Sequence, residues 1–260
     1  MNEQEREERV RLLLQRSRNI LKNLPDKLWP EDHQTDQQLG KPAPPLQKPA
    51  PDGATLIDLI PPDELTLGQA PLLEVINSRR SRRKFTDESL TLEELSYLLW
   101  CTRGVQKVFA PKITLRTVPS GGARHPFDTY MLIERVEGLA KGLYRYQPLD
   151  HQLCLIYGGD DLYDSFNEAL RNQGFGGVVL FVWVAIPYRC EWRYSMIAHR
   201  GTAIDAGHIG QNLYLAAESI GCGTCTLAAF SQDKLNELLQ LDGDDEFAYY
   251  AAPVGRRLDK

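Results

Sequence analysis

The sequence predicts an α+β fold, on three observations. Strand-like and helix-like segments follow one another in mixed order, without a regular strand–helix alternation. Residues 178–186 form the longest apolar run, too apolar for a strand with one wet face, so they read as a central strand covered on both sides. Residues 203–220 place Ile204, Ile209, Leu213, Ala216, Ala217 and Ile220 at helical spacing, while Ala206, Gly207 and Gly210 allow another element to approach closely.

The other elements follow in order. Residues 4–22 read as a helix, with Val10, Leu12, Leu13, Leu14, Ile20 and Leu21 among charges. From 25 to 51 the composition shifts to Pro, Gln, Asp and Lys, an extended connection that wraps a surface and builds no core. We therefore divide the chain into an N-terminal helix with a Pro-rich extension (1–56) and a main domain (57–260). Residues 57–62 read as a docking strip leading into the main domain, and the first 70 residues are expected to drape over the domain or a partner subunit. Pro71 opens a short helix with Leu72, Leu73 and Ile76 on one face. Thr91 and Glu94 fit a capping box for a helix with Leu95, Leu98 and Leu99, stopped by Gly104. A strand over 127–135, a hairpin of 143–146 with 152–157, and a helix over 162–170 come next. Helix resumes at 192–200, and Gly221 ends the long helix. Residues 223–230 read as a non-helical approach to Ser231, the N-cap of a helix carrying Leu235, Leu238 and Leu239. The last strand is 247–254.

Composition excludes several classes. With 42 % hydrophobic and 25 % charged residues the chain resembles an ordinary globular protein. No apolar run approaches the roughly 20 residues that span a bilayer, and the charged N-terminus has no signal-like apolar region. A cytoplasmic location, with no membrane partner, is the expectation. Five cysteines are too few, and odd in number, for a disulfide scaffold. Cys222 and Cys225 form a C-x-x-C without a second cysteine pair or a histidine pair, so no metal site is expected. Neither a G-x-G-x-x-G fingerprint nor a P-loop is present. Ser120 with His125 or His208 could join a carboxylate as a triad, but no G-x-S-x-G elbow supports one.

Residues 78–85, Ser-Arg-Arg-Ser-Arg-Arg-Lys-Phe, stand out in a chain of net charge −5. Five cations among six residues repel one another and relax against counterions, acidic neighbours or a bound anion. The stretch reads as a solvated basic run, as a nucleic-acid patch, or as the dock of one compact, multiply charged ligand. The isoelectric point near 5.6 and the lack of a second basic run weaken the nucleic-acid reading. Residues 117–126 hold two prolines and two glycines, which exclude a regular element and fit either a tight turn or a close backbone approach to a ligand.

Four segments in order resemble the FMN-dependent nitroreductase family. They are 79–85, matching R-x-S-x-[RK]-x-[FY]; 119–127, Pro-Ser-Gly-Gly-Ala-Arg-His-Pro-Phe; 205–217, beginning Asp-Ala-Gly-His; and 221–225 continuing to Phe230. The P-S-x-x-A-R-H-P and D-A-G-H forms are similar to the branch of thiazole- and oxazole-forming dehydrogenases. The resemblance spans about 57–257 and implies a three-layer sandwich with a mostly antiparallel sheet, helices on both faces and an interlocked homodimer. It implies one FMN per subunit, with Arg79, Arg80 and Ser81 on phosphate and ribityl chain and Arg83 beside N1 and the C2 carbonyl. Pro119, Ser120, Gly121, Arg124 and His125 would reach the flavin from the second subunit. Leu227, Ala228 and Ala229 would carry the backbone facing N5, and Arg256 would close on the phosphate. NADH or NADPH would donate hydride, and an electron-poor small molecule, a nitroaromatic or quinone, would accept it. Where the azoline-oxidising branch has a Lys-Tyr pair, this chain has Arg193 and Tyr194. Arginine stays protonated and cannot act as a general base, whereas Tyr194 can donate a proton. These two are the candidate catalytic residues. Oxidation of a peptide azoline and non-catalytic flavin binding are the alternatives.

Overall fold

The computed structural model describes residues 3–20, 22, 30, 32–109 and 113–258; Leu21 and residues 23–29 of the expected helix end and connection lie outside them. Among the described residues, seven strands form one sheet: β1 (Leu56–Asp58), β4 (Phe127–Ile133), β5 (Gly142–Gln147), β6 (Gln152–Gly158), β7 (Val179–Ala185), β8 (Cys222–Thr224) and β9 (Phe247–Arg256). Their order is β1-β6-β5-β4-β7-β9-β8, and each pairing is antiparallel.

The apolar run expected to be a central strand is β7, paired to β4 on one side and β9 on the other. Its alternation explains why it is apolar throughout. Val179, Phe181, Trp183 and Ala185 enter one core with Leu95, Leu99, Ile209 and Leu213, from α3 (Leu92–Arg103) and α6 (Ala198–Ser219). Leu180, Val182 and Val184 enter a second core with Phe166, Leu235 and Leu239, from α4 (Leu162–Ala169) and α7 (Gln232–Leu239). Helices on both faces make the three layers. The capping box opens α3 as expected: Glu94 N–H donates to Thr91 Oγ1 at 3.1 Å, and Thr91 N–H to Glu94 Oε2 at 2.9 Å.

Several elements depart from the expectation. A hairpin of β2 (Val105–Phe109) and β3 (Ile113–Arg116) lies outside the main sheet, where the sequence reading placed no strands. Helix begins at Tyr188, not Trp192: α5 (Tyr188–Tyr194) ends at Ser195, whose φ of 48° and ψ of −129° break the run before α6. The expected irregular approach at 223–230 includes β8, because its backbone meets the end of β9. Ser231 precedes α7, yet its side chain makes no capping hydrogen bond. In α2 (Leu72–Ser78) Val75 alone is buried, and Leu72, Leu73 and Ile76 are exposed. On α1 (Glu3–Ile20), Val10, Leu12, Leu13 and Leu14 are exposed. The extension does drape over the domain. Arg116 Nη2 donates to Leu46 O (2.8 Å), Arg145 Nη2 to Pro49 O (2.6 Å), and β1 adds to the sheet edge beside β6.

Candidate functional site

The basic stretch leaves α2 as extended backbone laid along the ends of β8 and β9. Ser81 bridges Thr224, Arg82 N–H donates to Thr224 O at 2.9 Å, and Thr86 N–H donates to Arg256 O at 2.9 Å. Extension sends successive side chains to opposite sides. Arg82 turns inward, its Nη2 and Nε 3.0 and 3.3 Å from the two carboxylate oxygens of Glu218. Gly223 makes this possible, since a Cβ there would lie 2.8 Å from Arg82 Cδ. Burial opposes the charge of Glu218, but Arg82, with Arg257 beside it, holds its carboxyl below the ordinary range. Arg83 and Lys84 are exposed and have no partner among the described residues. Arg79 stands 5.1 Å from the ring centre of Tyr214, and Arg80 folds back on Asn77 O and Arg79 O.

Tyr214 ties this stretch to the β8–α7 connection. Its hydroxyl lies 3.0 Å from Ser81 Oγ and accepts from Thr226 N–H at 3.0 Å. Ala203, Gly207, Gly210 and Tyr214 recur on one side of α6, so the tyrosine ends a strip of small residues. Ala203 and Gly207 of that strip, with Ala206, Ala228, Phe230, Tyr249 and Tyr250, bound a cleft of about 490 Å³, within the size range of small-molecule sites. Ala228 and Ala229 are exposed, and their N–H groups have no partner among the described residues. Leu227 differs: its N–H donates to Ala251 O at 2.7 Å and its side chain is buried in the second core. Its amide is committed to the sheet. Arg256 is committed too, lying 2.9 Å from Glu94 Oε1 and 3.4 Å from Glu88 Oε2.

The loop after β3 holds a short 3₁₀ turn, Gly121–Ala123, kinked at Gly122 with φ of 58°. It presents Pro119 and Gly121 outward, with Ser120 half-buried. Arg124 and His125 point inward. Arg124 Nε donates to Arg189 O (2.9 Å) and its guanidinium stands 4.8 Å from the ring centre of Trp192. His125 Nε2–H donates to Thr114 O at 3.1 Å, and its backbone N–H donates to Ser120 Oγ at 2.8 Å. Burial, then Arg116 and Arg103, push the His125 imidazole down to about 2, so the ring is neutral. Both residues thus anchor the loop from beneath and are not presented to a ligand from this surface. Asp205 sits under the same turn, its carboxyl raised by burial against the opposing Ser120 hydroxyl and Gly121 N–H.

Gly122 is pressed against Arg193 and Tyr194. A Cβ there would meet the Tyr194 hydroxyl and lie 2.9 Å from Arg193 Cδ, and Arg193 stands 5.6 Å from the Tyr194 ring centre. The structure therefore joins the glycine loop to the Arg-Tyr pair, and separately joins the basic stretch through Tyr214 to Thr226, two residues before Ala228. No residue of the loop lines the cleft. The sequence reading assigned no role to Tyr214 or Asp205; both lay inside the Asp-Ala-Gly-His segment, and their helical phase was the available signal.

Residues 76–256 match the profile of the nitroreductase family. The chain belongs to the nitroreductase family. It is therefore an oxidoreductase by family, and its exposed cations and backbone amides sit on that family's fold. The Methanocaldococcus jannaschii protein MJ1384, named for the same family, is 31 % identical over 189 residues, covering 72 % of this chain and 92 % of the relative. The trifolitoxin-processing protein TfxB of Rhizobium leguminosarum bv. trifolii is 29 % identical over 154 residues, covering 54 % of this chain and 39 % of TfxB. Among solved structures, a nitroreductase-family protein of Ralstonia eutropha JMP134 superposes with a TM-score of 0.64 at 28 % identity, over 84 % of this chain and 100 % of that one. The likeness to TfxB agrees with the peptide-modifying branch that the Asp-Ala-Gly-His form resembles.

Proposed function

We propose that this nitroreductase is an FMN-dependent homodimer that passes hydride from NADH or NADPH to an electron-poor acceptor such as a nitroaromatic or quinone. The observation that carries the reading is the division of the site within one chain: an anion-seeking strip with an open cleft on one side of α6, and the glycine loop with Arg193 and Tyr194 elsewhere. A second copy would supply the missing half. Exposed apolar side chains support such a contact: Leu72, Leu73 and Ile76 beside the basic stretch, and Val108, Phe109 and Leu115 on the β2–β3 hairpin.

The residues present fit the cofactor. Arg79, Arg80 and Ser81 would hold its phosphate and ribityl chain, where cations without carboxylate partners gain charge-assisted hydrogen bonds. Arg83 would place positive charge beside the pyrimidine edge, and Ala228 and Ala229 would offer backbone N–H groups. Arg256 reaches the phosphate only by exchanging Glu94 for it, and Leu227 acts through the sheet pairing that fixes Ala228. Pro119, Ser120 and Gly121 would come from the second subunit, with Arg124 and His125 holding them from below. Flavin when bound supplies hydride uptake and release. Tyr194 would donate a hydrogen bond or proton to the acceptor, with the Arg193 guanidinium beside its ring.

The likeness to TfxB favours a second reading, oxidation of a peptide azoline; the absence of a Lys before Tyr194 weighs against it, and turnover of a cyclodehydrated peptide would establish it. Tight FMN with no turnover on any reductant would leave a flavin-binding protein. The test is the visible spectrum of the purified protein, with the released chromophore identified. Bands near ~370 and ~450 nm that yield FMN and bleach with NADH or NADPH are expected. A protein colourless after FMN titration overturns the reading. Sedimentation should give a dimer mass, and a combined Leu73→Asp, Ile76→Asp variant should sediment as a monomer.

A further inference from the structure

We infer that residues 33–41 form a positioning strap that sets the geometry of Arg193 and Tyr194 and so shapes the acceptor side of the site. The inference rests on the flavin reading above. These residues lie outside the stretch that matches the family, 76–256.

The strap grips α5 along its length. Tyr188 Oη donates to Asp36 Oδ2 at 2.8 Å at the start of the helix. Gln37 N–H donates to Trp192 O at 2.8 Å, and Trp192 Nε1 donates to Lys41 O at 3.0 Å. Lys41 closes the strap on itself through Asp36 at 2.8 Å. At the end of the helix His33 Nε2 lies 2.9 Å from Ser195 Oγ. Ser195 is the residue whose φ of 48° and ψ of −129° fall where glycine is favoured. Such a conformation persists only when its surroundings over-determine it, and the His33 contact is one of the constraints.

The inner side of α5 is fixed independently. Arg189 makes a bidentate pair with Asp128 at 2.6 and 3.2 Å, and Arg124 stands over Trp192. Arg193 and Tyr194 lie between the last strap contact and Gly122, which they touch. A helix of seven residues held from both sides cannot tilt without moving these two side chains or the glycine loop. The strap and the helix also bound a polar cleft of about 340 Å³ lined by His33, Asp36, Glu191, Ser195 and His199, which opens beside the same turn.

The experiment compares His33→Ala, Ser195→Ala and the double variant with the wild-type protein as purified. Amide hydrogen exchange across 191–197 should rise about five-fold in each single variant, the size expected for one lost hydrogen bond. The double variant should rise by less than the two single rises combined, because the His33–Ser195 contact is lost only once. His33→Asn, which keeps a donor, should restore part of the protection. FMN content and the rate of bleaching by the nicotinamide donor should match wild type, while KM for the acceptor rises several-fold. Unchanged exchange across 191–197, or an unchanged acceptor KM, overturns the inference. Failure of the flavin reading is seen separately, as a wild-type protein that takes up no FMN.

Discussion

The arginines of this nitroreductase-family protein fall into two sets that the fold treats oppositely. Arg79, Arg80 and Arg83 lie close together in the sequence and reach the surface, where none is paired with a carboxylate among the described residues. Arg103, Arg116, Arg124, Arg145 and Arg189 are scattered along the chain and converge in the interior. Each buried one is matched by fixed acceptors: Arg103 by Phe127 O, Arg116 by Leu46 O, Arg145 by Pro49 O, Arg124 by Arg189 O and Arg189 by Asp128. Burial lowers Arg103 to about 10 and Arg116 well below its usual value. The contrast teaches that position, not crowding, sorts the cations: Arg79, Arg80 and Arg83 stay unpaired with carboxylate, whereas Arg82 of the same run and the scattered arginines serve the fold once they find carbonyl and carboxylate partners.

The largest effect should come from the interior. Arg189→Ala leaves Asp128 buried without its partner, and urea unfolding should report a loss of about 3–5 kcal/mol. A loss under 1 kcal/mol would erase the distinction between the sets. Next is Arg79→Ala, expected to weaken FMN binding by about 10- to 100-fold in a fluorescence titration, as one charge-assisted phosphate contact disappears. Its unfolding free energy should stay within about 0.5 kcal/mol of wild type, because the side chain has no carboxylate partner to strand. An FMN affinity equal to wild type would sink the assignment of Arg79.

A pH-dependent effect concerns the histidine lodged among the buried arginines. The folded protein holds His125 down to about 2, below the ordinary value near 6.5. The unfolded chain therefore binds the proton first, and the histidine's contribution, complete above about pH 6.5, is lost as pH falls through that window. Its share of the slope is at most about 1.4 kcal/mol per pH unit. His125→Gln keeps a donor toward Thr114 O but cannot titrate, so its stability measured in urea should fall less steeply between about pH 6.5 and 4. Parallel slopes for the two proteins would show that the ring titrates normally in the folded state.

What was legible in the sequence follows from where the signal resides. The capping box at Thr91 and Glu94, the turn at Gly221 and the doubly covered strand β7 were readable because each is specified within a few residues. The β2–β3 hairpin was not, since Val108 and Phe109 are adjacent and β3 inverts the usual sense, with Ile113 and Leu115 exposed and Thr114 and Arg116 buried. The start of α5 was missed because Tyr188–Tyr194 is short and mostly polar, and it is held by Asp128, Arg124 and the strap more than by its own pattern.

By itself the sequence determined the α+β class, most of its helices and strands and the place of the clustered cations, all properties of local pattern and local charge density. The tertiary structure alone decided which members of each motif face outward. It turned Arg82 to Glu218, Arg256 to Glu94, and Arg124 with His125 beneath their loop, and it committed the Leu227 amide to Ala251. Those choices depend on partners 11 to 162 residues away. Such a partner becomes near only when the chain folds, so no motif read along the sequence can reveal it.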